Sequence, residues 1–185
     1  MPKHLMISVD WFGPYATAES AHVAAKADYE DGLYMCIGCC DQQTQAQLQY
    51  IGISTLLYKR VRIGRLHFKK IISDHQFWLG EITTAEPPGK KIKVSKSTLK
   101  YAEWLHARFL NLPFNVMKTK TIPDRSVTVL NRWFDTTYDN ISERPHPDWP
   151  DLIDFPSYGL PARAVWFGSR QEIFSAPAYR LNDGR

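Results

Sequence analysis

Arginine, lysine, histidine, glutamate and cysteine stand in this chain at spacings that could do chemistry on a polyanion. The run YKRVRIGRLHFKK (58–70) holds six basic residues and no acid, and GKKIKVSKSTLK (89–100) adds five more. Runs of this kind contact phosphates regardless of sequence, with an affinity that falls steeply with salt. From Tyr58 to Lys120 there are fourteen Lys or Arg against four acids, a local charge of +10 that leaves −6 for the rest of a chain whose total is +4. Such segregation hints at a polyanionic ligand, and a solvated lysine-rich face is the plainer reading beside it. Leu56, Arg60, Ile63 and His67 fall at i, i+4, i+7 and i+11, which would set a guanidinium and an imidazole on one helical face. Cys36-x-x-Cys39-Cys40 could hold zinc or do redox chemistry, but a structural zinc needs four ligands and no second pair follows. Buried or loop thiols are the plainer reading there.

The elements that must position these groups follow from pattern and punctuation. LMISVDWF reads as a strand, and an alanine-rich helix runs from about Thr17 to Ala27 before the turn at Asp31-Gly32. LYMCI (33–37) and YIGIS (50–54) are short apolar runs of strand length, suggesting an antiparallel hairpin whose long polar connection, Asp41 to Gln49, is a flexible or functional loop. Ser54-Thr55 supplies a cap signal for a helix from Leu56 to about Phe68, and FWLGEI (77–82) is a third strand. Ser97 or Thr98 opens LKYAEWLHARFL, with a buried stripe of Leu99, Ala102, Leu105 or His106, and Phe109, until Pro113 ends it. Glu103 sits at the margin of that stripe, half turned toward whatever the helix packs on. Residues 133–154 hold six acids against Arg144 alone, with prolines at 145, 147 and 150, and read as irregular; ARAVWF is a last strand.

Composition bounds the class. A chain of 185 residues, 44% apolar and 13% aromatic, is one ordinary domain's worth of material that folds without disulfides or a structural metal. Dominant disorder is excluded. No uncharged apolar run reaches about 18 residues and the start lacks a secretory h-region, so no membrane is expected as partner. An odd cluster of three cysteines argues against a secreted disulfide framework, and a reducing cytoplasm is the expected compartment.

Gly32-Leu33-Tyr34, then Tyr50-Ile51-Gly52, Arg60 ten residues after the second tyrosine, Glu103 in a helix and Asn115 after it together resemble the GIY-YIG nuclease superfamily. The resemblance spans Gly32 to Asn115, 84 of 185 residues. It implies an α+β core, a small three-stranded antiparallel sheet flanked by helices, that hydrolyses DNA with one divalent metal ion, Mg²⁺ or Mn²⁺. On that basis residues 1–31 are an N-terminal extension, 32–120 the nuclease core, and 121–185 an acidic, proline-containing C-terminal extension packed on it. Tyr34 and Tyr50 match the paired tyrosines, Arg60 the helix arginine, Glu103 the metal ligand, and Asn115 the closing asparagine; Gly32 and Gly52 support backbone geometry.

The chemistry suits these residue types. Mg²⁺ prefers oxygen and keeps several waters, so one carboxylate plus substrate phosphate is an adequate anchor. A guanidinium fork at Arg60 fits a phosphate. A tyrosine base is harder, since only about 0.1% of a phenol with pKa near 10 is ionised at neutral pH. Tyr34 or Tyr50 would activate the water, or would simply hydrogen-bond it. Family members often carry a histidine one turn after the arginine, where this chain has Gly64; His67, sharing the helical face of Arg60, is the better candidate over His75. Lys59, Arg62, Arg65, Lys69, Lys70, Lys90 and Lys91 would contact the DNA backbone. The tyrosines are sixteen residues apart, a wider gap than is common in the family.

A restriction-type or mobile-element endonuclease fits the amount of chain outside the core, and cutting both strands would favour a homodimer. A catalytically silent nucleic-acid-binding protein that keeps the fold is the alternative. A third reading makes the acidic 133–154 segment a partner-docking element or a mimic lying over the protein's own basic face.

Overall fold

The computed structural model describes residues 4–62, 66–83, 95–119, 123–156 and 159–174. Among the described residues a single curled sheet of eight strands forms, in the order β3-β2-β4-β1-β5-β6-β7-β8. The strands are β1 (Leu5–Tyr15), β2 (Gly32–Cys40), β3 (Gln47–Ser54), β4 (Ile71–Ile82), β5 (Val127–Phe134), β6 (Leu152–Phe155), β7 (Ala162–Val165) and β8 (Gln171–Phe174). The helices are α1 (Ala18–Asp28), α2 (Leu57–Arg60), α3 (Leu66–Lys70), α4 (Lys96–Phe109) and α5 (Val116–Thr119).

This overturns the small three-stranded sheet expected from the family resemblance. β3, β2 and β4 are antiparallel neighbours, but β1 pairs antiparallel with β4 and parallel with β5, so the sheet continues through both flanking segments. The physical reason lies in β1. Ile7, Val9 and Trp11 point to one face and Phe12 and Tyr15 are also buried, and a strand buried on both faces needs a paired neighbour on each side. The acidic segment is also more regular than its prolines suggest. Leu152–Phe155 pairs with β5 and β7, and Trp149 is fully buried in the core.

Period-2 alternation divides the core between two faces. Leu33, Met35, Ile37 and Trp78 pack under α4 with Leu99, Ala102, Leu105 and Phe109. Tyr34, Cys36, Phe77 and Leu79 face the other way, toward α1 and α2 with Ala21, Ala25, Leu57 and Val61. The α4 stripe buries both Leu105 and His106, and its first turn is closed by a capping box of Ser95 and Thr98. The helix ends at Phe109 rather than at Pro113, with Asn111 in the left-handed region (φ 49°) two residues on.

The helix expected from Leu56 to Phe68 is two short pieces instead. Leu57 and Val61 are fully buried, and the α2 end is fixed from outside, where His22 Nδ1 lies 2.8 Å from Tyr58 O and 2.9 Å from Val61 O. A side chain that satisfies the terminal carbonyls removes the need for a further turn. The polar connection between β2 and β3 is tied down: Gln43 Oε1 accepts from Cys40 N and from Gln49 Nε2, both at 2.7 Å, and Gln49 Nε2 also donates to Gly38 O.

Candidate functional site

A cavity of about 350 Å³ opens beside the edge strand β3, between α2 and the first half of α4. Tyr34 comes from β2, Tyr50, Ile53 and Ser54 from β3, Arg60 from α2, Lys96, Leu99, Lys100 and Glu103 from α4, and Lys118 from α5. Residues separated by up to 84 positions thus share one wall. Tyr34, Tyr50, Arg60 and Glu103, picked out from the sequence, are together here.

The two tyrosines are held at different depths. Tyr34 is 2% exposed, its ring centroid 5.8 Å from that of Tyr50. Gly52 makes room for it, since a Cβ at that position would stand 2.4 Å from Tyr34 Cζ and 2.5 Å from its hydroxyl. At Gly32 a Cβ would stand 2.6 Å from Gly80 O. Both motif glycines therefore serve close approach across the sheet. Burial pushes the Tyr34 phenol far above its ordinary value, helped by Tyr50 and by the hydrogen bond between the two hydroxyls. Tyr50 is raised by burial as well; Tyr34 and Arg60 oppose that shift, and the nearby Glu103 carboxylate adds to it. Both phenols lie above the ordinary value, Tyr34 further than Tyr50.

Asn115 works as structural support. It is 6% exposed; its Nδ2 donates to Ile51 O at 2.8 Å and its Oδ1 accepts from Ile51 N at 2.9 Å. Phe114 N also donates to Gln49 O, so the segment covers the outer edge of β3 just where the tyrosine motif lies.

Glu103 is nearly enclosed, its side chain 12% exposed, with Lys118 Nζ 3.7 Å from Oε2. Burial raises its pKa above the ordinary carboxylate value, against the opposing pull of Lys118, Arg60 and Lys100. No group of three or more His, Cys, Asp or Glu that could hold a metal occurs among the described residues. A lone desolvated carboxylate at the wall of an open polar cavity fits Mg²⁺ or Mn²⁺ that keeps its waters and takes further oxygens from a phosphate. Glu103 is the residue that would hold the ion.

His67 reaches the site by a different route from the one its spacing suggested. With the helix interrupted after Arg60, it sits on α3 and stacks on Tyr50, centroids 4.6 Å apart and planes 17° apart, with Phe114 on stacking terms at 6.0 Å. His75 lies elsewhere: its Nε2 is 2.7 Å from Ile71 O and it lines a separate groove with Phe68, Lys69 and Phe77.

The basic residues disperse. Lys59 Nζ lies 6.0 Å from the ring of Tyr58, Arg62 lines a different cavity with His22 and Lys26, and Lys70 Nζ lies over Phe114 at 5.2 Å. Arg65, Lys90 and Lys91 lie outside the described residues. The cations that do line the cavity with Arg60 are Lys96, Lys100 and Lys118, which sequence reasoning did not single out. Lys96 and Lys100 precede Glu103 by seven and three positions, a same-face helical spacing that was there to be read. Lys118 had no such signal, because it comes to Glu103 only where Asn115, fixed to Ile51 of β3, turns the chain into α5 beside α4.

The thiols show nothing beyond packing. Cys36 is fully buried and burial pushes its thiol up, while Cys39 donates to Asp74 at 3.3 Å. Four of the six acids of 133–154 have partners of their own. Asp151 pairs with Arg144 and accepts from Phe167 N, Asp154 accepts from Thr128 and Arg163, Asp148 pairs with Arg170, and Asp135 closes a turn through Thr137 and Asn140. None of them lines the Glu103 cavity.

No protein-family model, no curated protein and no solved structure matches the chain. No helix among the described residues is long and apolar enough to cross a membrane.

Proposed function

We propose that this chain is a divalent-metal-dependent DNA endonuclease whose site resembles that of the GIY-YIG superfamily, set in a much larger sheet than that resemblance implies. The observation that carries the reading is the composition of one cavity: a single carboxylate, 12% exposed, faces two hydrogen-bonded tyrosines and four cations, Arg60, Lys96, Lys100 and Lys118. A cleft with three more cations than carboxylates suits a polyanion, and its guanidinium and ammonium groups are of the kind that would bind the non-bridging oxygens of a phosphate.

In the proposed reaction Arg60 binds the scissile phosphate and neutralises charge developing on its equatorial oxygens. Lys96 and Lys100, one turn apart on α4, hold the flanking backbone in register. Tyr50, in its phenolate form, takes a proton from the attacking water and becomes the phenol, and a hydrogen bond donated by Tyr34 stabilises that phenolate before the transfer. His67, stacked on Tyr50, fixes the phenol ring in plane. A Mg²⁺ held by Glu103 would supply Lewis acidity toward the phosphate and the leaving oxygen. Sequence recognition would come from outside the cavity, which reads only backbone. DNA as the nucleic acid and a restriction-type or mobile-element role rest on the resemblance, a cytoplasmic setting rests on hydropathy and cysteine usage, and two protomers, one per strand, would be needed for a double-strand cut.

Incubating the full chain with supercoiled plasmid and Mg²⁺ tests this. Nicked and then linear products that require the metal support the reading. Intact plasmid with retained DNA binding would favour a silent binding protein, and nicking alone by a monomer would remove the homodimer.

A further inference from the structure

The segment after Asn115 brings a cation to the carboxylate. Asn115 is fixed to β3 through both its amide atoms, and Lys118 N donates to Asn115 O at 3.0 Å, so the first turn of α5 is anchored to the edge strand. From there the Lys118 ammonium reaches α4, 3.7 Å from Glu103 Oε2 and 4.8 Å from the centre of the Trp104 ring. Glu103 and Trp104 are consecutive, so one helix offers the ammonium both a carboxylate and an aromatic face. Lys118 is the more exposed partner, 30% against 12% for Glu103, so it can leave while the carboxylate cannot follow. A divalent ion bound to the Glu103 carboxylate would meet strong like-charge repulsion from this ammonium.

We propose that Lys118 is a built-in counter-ion that competes with the divalent cation for Glu103, so that the site binds metal tightly only when a phosphodiester is present to receive the displaced ammonium. The inference rests on the metal-dependent reading above and adds to it a coupling between metal and substrate. Without DNA, Lys118 neutralises a carboxylate that has little water around it. With DNA, the ammonium turns to a backbone phosphate on the same cavity wall as Lys96 and Lys100, and Glu103 is released to the metal. By linkage, metal and DNA then strengthen each other's binding by the same factor.

Mn²⁺ titration of the full chain, followed by the electron paramagnetic resonance signal of the free ion, tests this with and without a short phosphorothioate duplex. Lys118→Met keeps the apolar stem against Trp104 while removing the charge. It should bind Mn²⁺ about tenfold more tightly than wild type in the absence of DNA, within the 5–150-fold range common for coupled sites, and should gain little more when the duplex is added. Lys118→Arg should behave as wild type, which controls for folding. Equal Mn²⁺ affinity of wild type and Lys118→Met, lost in both when Glu103→Gln is added, overturns the counter-ion role and leaves the metal site standing. Mn²⁺ binding that is absent throughout, or indifferent to Glu103→Gln, overturns both.

Discussion

The side chain of Asn115 pairs with the backbone of Ile51 as a neighbouring strand would, donating to its carbonyl at 2.8 Å and accepting from its amide at 2.9 Å. Ile51 lies between Tyr50 and Gly52, so this one amide fixes the strand that carries half of the candidate site. Asn115→Ala leaves two backbone groups of a buried residue without partners. The expected cost is about 2–4 kcal/mol, read as a fall in Tm of roughly 10 °C. Asn115→Asp should do little better, because a carboxylate would face the Ile51 carbonyl.

Gly52→Ala places a methyl 2.4 Å from the Tyr34 ring. The ring is 2% exposed and must shift to make room. Overpacking of this kind costs about 1–3 kcal/mol, and it also pushes the Tyr34 hydroxyl off Tyr50. Thermal melts should show the loss of stability, and any plasmid cleavage should fall by more than Tyr34→Phe alone causes.

The tyrosines are expected to separate in a pH profile. Tyr50→Phe removes the proposed base and should lower kcat by about 10²–10⁴-fold. Tyr34→Phe removes only a donor. Because that donor pulls the Tyr50 pKa down, its loss raises it, and the rising limb of rate against pH should move to higher pH with a smaller drop in the plateau. An unshifted limb in Tyr34→Phe would mean that Tyr50 is not the titrating group.

Glu103 should cost the protein stability. Its folded-state pKa is raised, with burial outweighing Lys118, Arg60 and Lys100, so the folded state binds more protons than the unfolded one above the ordinary carboxylate pKa. Stability from this group is therefore complete below the unfolded pKa of about 4.5 and is lost as pH rises through the folded value. Glu103→Gln, neutral at every pH, should melt higher than wild type at neutral pH, and the difference should vanish near pH 4. A variant less stable than wild type at pH 7 would show that the ion pair with Lys118 outweighs desolvation.

The grouping of Tyr34, Tyr50, Arg60 and Glu103 was legible because the candidate set is written as residue types in order, on elements whose ends are marked. The β2–β3 hairpin follows from two apolar runs, and α4 from a capping box and a clear stripe. The size of the sheet was not legible. β1 pairs with β4 and β5 over separations of about 70 and 120 residues, and nothing local in LMISVDWFGPY names those partners. A family resemblance covering 84 residues led to a sheet that stopped at three strands, whereas the buried Trp11, Trp133 and Trp149 required more. The helix that would have put Arg60 and His67 on one face fails because His22, 36 and 39 residues upstream in chain, takes the carbonyls of Tyr58 and Val61. His67 reaches Tyr50 by stacking, a contact that no spacing rule anticipates. Lys118 comes to Glu103 only through the Asn115 anchor.

The proposal depends on a carboxylate that anchors a metal next to phosphate. The most direct measurement compares wild type with Glu103→Gln on supercoiled plasmid in Mg²⁺, in Mn²⁺ and in EDTA, with DNA affinity and thermal melting recorded on the same preparations. Wild type should cleave in either metal and stop in EDTA, while Glu103→Gln should remain folded, bind DNA at least as well, and cleave in neither. Cleavage by Glu103→Gln at the wild-type rate, or by wild type in EDTA, would contradict the metal site.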